Sequence, residues 1–89
     1  MNHQTNNQLR QWCVYMVKCA DGTFYTGSTN NLAARIETHN EGAGAKYTRS
    51  RRPVRLIYSE VVADQSTALK REAVIKSFSK RQKTDLIEG

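Results

Sequence analysis

The stretch Val14 to Ser28, VYMVKCADGTFYTGS, limits the fold more than any other part of the chain. Trp12 to Cys19 is rich in Val, Tyr and Trp, residues that suit a pleated, half-buried surface. A second such run spans Thr23 to Ser28, and Ala20-Asp21-Gly22 lies between them. The pattern predicts a β-hairpin. Two registers are open. A two-residue Asp-Gly turn sends Tyr15 and Tyr25 to opposite faces. A three-residue Ala-Asp-Gly loop, with Gly22 left-handed, sets Tyr15 opposite Gly27 and Tyr25 opposite Val17, so that the phenols share a face as diagonal neighbours. Gly22 as third loop residue favours the second register.

Beyond the hairpin, Thr29-Asn30-Asn31 offers an N-cap for a helix over LAARIETHN, and Gly42 can end it. Leu32, Ala33 and Ile36 form its apolar stripe, with Arg35 and His39 projecting together along one flank. Residues 42–53 read as a loop, glycine-rich at its start and basic at its end. A third strand follows over Val54 to Val62, where alternation puts Arg55, Ile57 and Ser59 on one side and Val54, Leu56 and Tyr58 on the other. Asp64 or Ser66 caps a second helix to about Ser77, burying Ala68, Leu69 and Ile75. Ser79 and Gln82 have capping-box spacing for a last short helix that turns Leu86 and Ile87 inward. The expectation is an α+β fold: a small three-stranded antiparallel sheet flanked by helices, in the order β-β-α-β-α-α. Residues 1–11 read as a flexible polar tail and residues 12–89 as one domain.

Composition narrows the function classes. With 89 residues, 38% of them hydrophobic, one small domain is expected, too small for a large buried cavity. No apolar run approaches the roughly 20 residues needed to span a bilayer, and the N-terminus lacks signal-peptide character, so a cytoplasmic protein is expected. Cys13 and Cys19 on one strand would lie about 20 Å apart, too far for a disulfide. Neither His3 nor His39 has zinc-site spacing around it, and both thiols are expected as small buried hydrophobes. The net charge is +6. Lys46, Arg49, Arg51, Arg52 and Arg55 fall together with no acid among them, and Lys70, Arg71, Lys76, Lys80, Arg81 and Lys83 form a second cluster. Such an excess favours a polyanionic partner, whereas any one of these residues taken alone reads as solvated surface.

Glu72 stands four residues after Ala68 and three before Ile75, which puts a carboxylate within or beside the stripe that meets the sheet. Burying an unpaired carboxylate costs several kcal/mol (order of magnitude). It therefore needs a divalent cation, a salt bridge to Arg35 or Arg71, or exposure. Arg35 beside an apolar stripe is ordinarily a snorkelling side chain, and a lone histidine such as His39 is ordinarily a satisfied polar residue. Convergence alters that reading: two phenols on the hairpin, a guanidinium and an imidazole on the first helix and a carboxylate on the second can share one patch.

Val14-Tyr15, then Tyr25-Thr26-Gly27, then Arg35 ten residues after the second tyrosine, then Glu72 within ALKREAVIKSF, resembles the GIY-YIG nuclease superfamily, most closely its small stand-alone bacterial members. The resemblance covers nearly the whole chain after the tail. It implies a metal-dependent endonuclease hydrolysing phosphodiester bonds in DNA, with a single Mg²⁺ or Mn²⁺ held by Glu72. By the same resemblance Tyr15 and Tyr25 are the tyrosines of the two motifs, Arg35 neutralises the scissile phosphate and His39 lies near the catalytic water. The needs of phosphodiester hydrolysis make Tyr15 the candidate proton acceptor, with Tyr25 positioning phosphate or water and either neutral His39 relieving Tyr15 of its proton or Arg35 or the metal favouring the phenolate. Lys46, Arg49, Arg51, Arg52 and Arg55 would grip the nucleic-acid backbone. The alternative is a nucleic-acid binding module with the nuclease fold and little or no cleavage; an adaptor for an acidic protein is a third reading. The absence of an appended DNA-reading domain suggests a partner protein supplying specificity, and the lack of apolar surface runs suggests a monomer. Three departures stand out. Cys13-Val14-Tyr15 lacks the first motif's glycine, Thr26 replaces the usual isoleucine, and Ser28 stands where some members carry lysine.

Overall fold

The computed structural model describes residues 11–89; the polar tail, apart from Gln11, and His3 lie outside the described residues. Strands β1, Cys13–Lys18, and β2, Phe24–Thr29, form the hairpin. The Gly22 amide donates to the Cys19 carbonyl at 2.9 Å, and Gly22 takes φ 87°, the left-handed region that glycine enters without a Cβ penalty. The loop is therefore Ala20-Asp21-Gly22, and the register sets Tyr15 opposite Gly27 and Val17 opposite Tyr25. Both phenols belong to one face.

Strand β3, Arg55–Val61, pairs antiparallel with β1 and completes a sheet of order β2-β1-β3. The expected alternation along β3 fails at one point. Met16 lies opposite Tyr58 but Val17 lies opposite Leu56, so Ile57 is an extra residue in a bulge. Ile57 and Tyr58 consequently both pack with the Val14 and Met16 cluster instead of facing opposite ways.

Helix α1, Leu32–Asn40, is capped by the Asn31 side chain, which accepts from the Ala34 amide. A one-turn helix α2, Lys46–Arg49, interrupts the expected loop. Helix α3, Gln65–Lys76, starts at Asp64, whose carboxylate accepts from the Thr67 amide at 2.8 Å. Helix α4, Lys80–Glu88, carries the expected Ser79 and Gln82 capping box. The β-β-α-β-α-α order holds, with α2 as an added turn.

These helices cover both faces of the sheet. On one, Leu32 and Ile36 of α1 pack against Tyr15, Val17, Cys19 and Val54. On the other, Ala68 and Ile75 of α3 join Val14 and Met16, with Leu86 and Ile87 of α4 packed alongside. Two expected core residues are exposed: Ala33, and Leu69 at 54% of its surface. In α3 the line that meets the sheet runs through Ala68, Glu72 and Ile75, spaced by four and three, which leaves Leu69 about 100° round the helix. Both cysteines are free and buried, and burial pushes their thiols up from the ordinary value. Strand β2 is left as an outer edge reachable from both layers.

Candidate active site

Tyr15 sits in the central strand with no exposed surface. Its ring lies over Gly27, the residue opposite: a Cβ on Gly27 would come within 2.5 Å of the phenol oxygen. The glycine of the Tyr-x-Gly motif thus makes room for the first tyrosine across the hairpin. The phenol oxygen is 2.8 Å from Nε2 of His39, which is itself fully buried. On the other side of the imidazole, Nδ1 is 2.8 Å from the Thr48 hydroxyl oxygen, and that hydroxyl donates to the Ala45 carbonyl at 3.0 Å.

The hydrogen bonds assign the protons. Thr48 has one hydroxyl proton, directed to Ala45, so its oxygen accepts from Nδ1–H. Nε2 is then the bare nitrogen, and Tyr15 donates to it. Burial lowers the His39 pKa from its ordinary value, and the nearby Arg35 charge lowers it further, so the imidazole is held neutral. Burial raises the Tyr15 pKa, opposed by hydrogen bonding and charge from Arg35 and reinforced by the charges of Tyr25 and Glu72. The resting pair is a neutral phenol aimed at a neutral acceptor.

Tyr25 packs edge-on against the same imidazole, with ring centroids 5.3 Å apart, and Tyr15 does so at 5.9 Å. His39 therefore lies against both phenols. Tyr47 of α2 stacks on Tyr25 at 6.0 Å and carries the Arg51 guanidinium 3.9 Å above its ring. Gly44 clears the remaining space, since a Cβ there would collide with the His39 ring.

Glu72 arrives from the opposite layer at the β2 edge. Ser28 donates to its Oε1 at 2.7 Å, and Lys76 pairs with its Oε2 at 2.7 Å. The expected alternative partner, Arg71, is instead held by Glu60, with Nε 2.7 Å from Oε2. Among the described residues no three His, Cys, Asp or Glu side chains cluster as metal ligands. The lone Glu72 carboxylate, 16% exposed, suits a hard cation that keeps most of its ligands as water and substrate phosphate, the habit of Mg²⁺. It does not suit a fully protein-ligated ion.

The basic loop is less free than its sequence suggests. Arg51 pairs with Asp21 at 3.0 Å and donates to the Tyr47 carbonyl at 2.7 Å, clipping the loop to the hairpin. Arg52 donates to the Arg49 and Asn40 carbonyls. Lys46, Arg49 and Arg55 are exposed.

Residues 11–85 match the family described as the GIY-YIG catalytic domain. The chain belongs to the GIY-YIG family. A UPF0213 protein of Staphylococcus haemolyticus is 56% identical over 75 residues, covering 84% of this chain and 92% of its own. One from Desulfotalea psychrophila is 56% identical over 79 residues, covering 88% and 72%. Two solution NMR structures share the fold, each covering 88% of this chain and 83% of its own: an E. faecalis protein at 40% identity with a TM-score of 0.60, and a UPF0213 protein of Bacillus halodurans at 38% with 0.57.

Within the GIY-YIG domain the departures acquire physical contexts. Cys13, in place of glycine, is buried at the start of β1, between Thr29 and Val61 of the neighbouring strands, and Val14 beside it fills the core beneath α3. Thr26 is buried with its hydroxyl unpartnered, and Ser28 is the donor to Glu72. Thr48, Gly44 and Lys76 also belong to the site. Only Lys76 left a sequence signal, its position four residues after Glu72.

Proposed function

We propose that this chain is a metal-dependent endonuclease that hydrolyses phosphodiester bonds in DNA. The observation that carries the reading is the directed chain from Tyr15 through His39 to Thr48, because it solves the difficulty of a tyrosine base. A phenol near its reference pKa of about 10 is only about 0.1% ionised at neutral pH. Here burial raises it further, so a standing phenolate is not the base. Instead the phenol oxygen takes a proton from the attacking water as its own proton passes to Nε2 of His39, and Nδ1–H stays on Thr48. The imidazolium forms as the phosphorane gathers negative charge, which offsets it, and His39 returns the proton through Tyr15 to water after the P–O bond breaks, restoring the neutral pair. Arg35, whose charge already acts on Tyr15 and His39, supplies a guanidinium for the equatorial phosphate oxygens. Tyr25 orients phosphate or water from its place against His39.

Glu72 would hold Mg²⁺ or Mn²⁺, with Ser28 fixing the carboxylate. When bound, the ion supplies charge neutralisation at the leaving oxygen. Exposed Lys46, Arg49 and Arg55 would meet the backbone of the substrate, while Arg51 and Arg52 shape the loop that carries them.

Two observations favour the binding-module reading: Tyr15 has no exposed surface, and both Glu72 oxygens already have partners. The separating experiment uses labelled single-stranded, duplex and branched DNA, and RNA, with Mg²⁺ or Mn²⁺. Cleavage by wild type that disappears in Glu72→Ala supports the nuclease. Salt-sensitive binding without cleavage in either protein supports the module.

A further inference from the structure

Apart from Lys76, which pairs with Glu72, the second basic cluster has no part in the proposed catalysis. Three of its lysines, Lys76, Lys80 and Lys83, meet the sheet along the outer edge of β2. Two adjoining clefts lie there, of about 220 Å³ and about 150 Å³, sharing Phe24 and Lys83. The larger is walled by Phe24, Tyr25, Thr26 and Tyr47 and carries Lys76 and Lys83; the smaller adds Lys80. Lys80 Nζ lies 5.3 Å from the Phe24 ring centre and Lys76 Nζ lies 5.9 Å from that of Tyr25. Edge lysines alone would merely protect an unpaired strand from wrong pairing. These, however, come from α3 and α4 and hang over aromatic rings. The wall also contains Thr26, 3% exposed, whose hydroxyl has no partner among the described groups.

A ligand that satisfies this groove must offer anionic groups and flat apolar faces at short intervals. A duplex turns phosphates outward and keeps base faces inside its stack, so it uses only the lysines. An unpaired strand offers both, which is the combination of stacking platform and basic track that single-strand binding requires. We infer that the β2-edge groove binds an unpaired nucleic-acid strand, with a base against Phe24 and its phosphates on Lys76, Lys80 and Lys83. Its placement beside the scissile phosphate rests on the nuclease reading, because Lys76 also pairs with Glu72. DNA and RNA strands share the required chemistry.

The test is fluorescence anisotropy without divalent metal, using a labelled short oligothymidylate, an oligouridylate of equal length and a blunt duplex. Wild type should bind one or both single strands at least about tenfold more tightly than the duplex. Phe24→Ala should lose about tenfold on the single strand and little on the duplex. Lys80→Ala combined with Lys83→Ala, both in α4, should make the logarithmic salt slope on the single strand shallower by about 1.4, roughly 0.7 for each phosphate no longer neutralised. This second variant keeps the test intact if Phe24→Ala does not fold by circular dichroism. Equal affinity for duplex and single strand, or single-strand affinity and salt slope unchanged in the lysine variant, overturns the groove. Glu72-dependent cleavage with groove variants that bind like wild type would remove the groove and leave the nuclease. Groove-dependent single-strand binding with no Glu72-dependent cleavage would do the reverse.

Discussion

Tyr15 donates its phenol proton to Nε2 of His39 across 2.8 Å, and neither side chain has any exposed surface. That bond joins the hairpin to α1. Its direction is set one step further out, where Thr48 holds the other ring nitrogen. The chemistry proposed for the site depends on this direction, since a His39 protonated at Nε2 could not receive the tyrosine's proton.

Thr48→Val removes the acceptor for Nδ1–H while keeping the shape of the side chain. A buried donor left without a partner costs about 1–3 kcal/mol. In a domain of this size each kcal/mol corresponds to a Tm loss of about 4–8 °C. Cleavage should fall further than the stability loss explains, and its pH profile should shift because the tautomer is no longer fixed. Thr48→Ser keeps the hydroxyl and should restore both. A Thr48→Val profile superimposable on wild type would remove Thr48 from the proton path.

The buried imidazole also predicts a pH dependence of folding. The folded His39 pKa is lowered from 6.5, chiefly by burial. Protons are therefore bound more readily by the unfolded chain, and the stabilisation is fully present above about pH 6.5 and lost as pH falls from there through the folded value. Urea midpoints measured between about pH 7 and about pH 5 should decline, and His39→Gln should flatten that part of the decline. A wild-type midpoint that rises toward acid pH would contradict a buried neutral imidazole.

Gly27→Ala tests the packing that places the phenol. The added Cβ would meet the Tyr15 oxygen at 2.5 Å and Cζ at 2.7 Å, and a side chain in the middle of the sheet has little room to give. Overpacking of this kind costs about 1–3 kcal/mol. Combining it with Tyr15→Ala, which removes the ring it strikes, should lower the Tm by less than the sum of the two single losses. Additive losses would mean that the clash is not the cause.

Lys76 is the internal counter-ion of Glu72, and its side chain is 50% exposed. An exposed pair contributes only about 0–1 kcal/mol. Lys76→Met should therefore tighten Mn²⁺ binding by at most about fivefold, read by Mn²⁺ electron paramagnetic resonance titration. Weaker binding in the variant would show that the ammonium supports the ion site instead of competing with it.

Much of this was legible because it follows from local rules. Gly22 as third loop residue decides the register, and the register alone brings Tyr15 and Tyr25 to one face. Spacing from Ala68 and Ile75 places Glu72 on the sheet-facing line of α3, and Asp64 and Ser79 mark helix starts by capping chemistry. What escaped depends on partners distant in sequence. The bulge at Ile57 has no glycine or proline to announce it, so strict alternation misplaces that residue. Thr48 looks like one polar residue in a basic loop until α2 folds it beneath His39. Arg51 and Arg52 read as free cations because Asp21 and the carbonyls that hold them lie elsewhere in the chain. Leu69 misleads because Glu72, held by Ser28 and Lys76, takes a place on the buried line that an apolar residue would ordinarily fill.

The most direct measurement compares wild type with Tyr15→Phe for cleavage of labelled DNA in Mg²⁺ or Mn²⁺, after circular dichroism has established that both are folded. Loss of a positioned acid-base group predicts a rate reduction of about 10²–10⁴-fold in the variant. A Tyr15→Phe protein that cuts as fast as wild type would contradict the proton path from water through Tyr15 to His39.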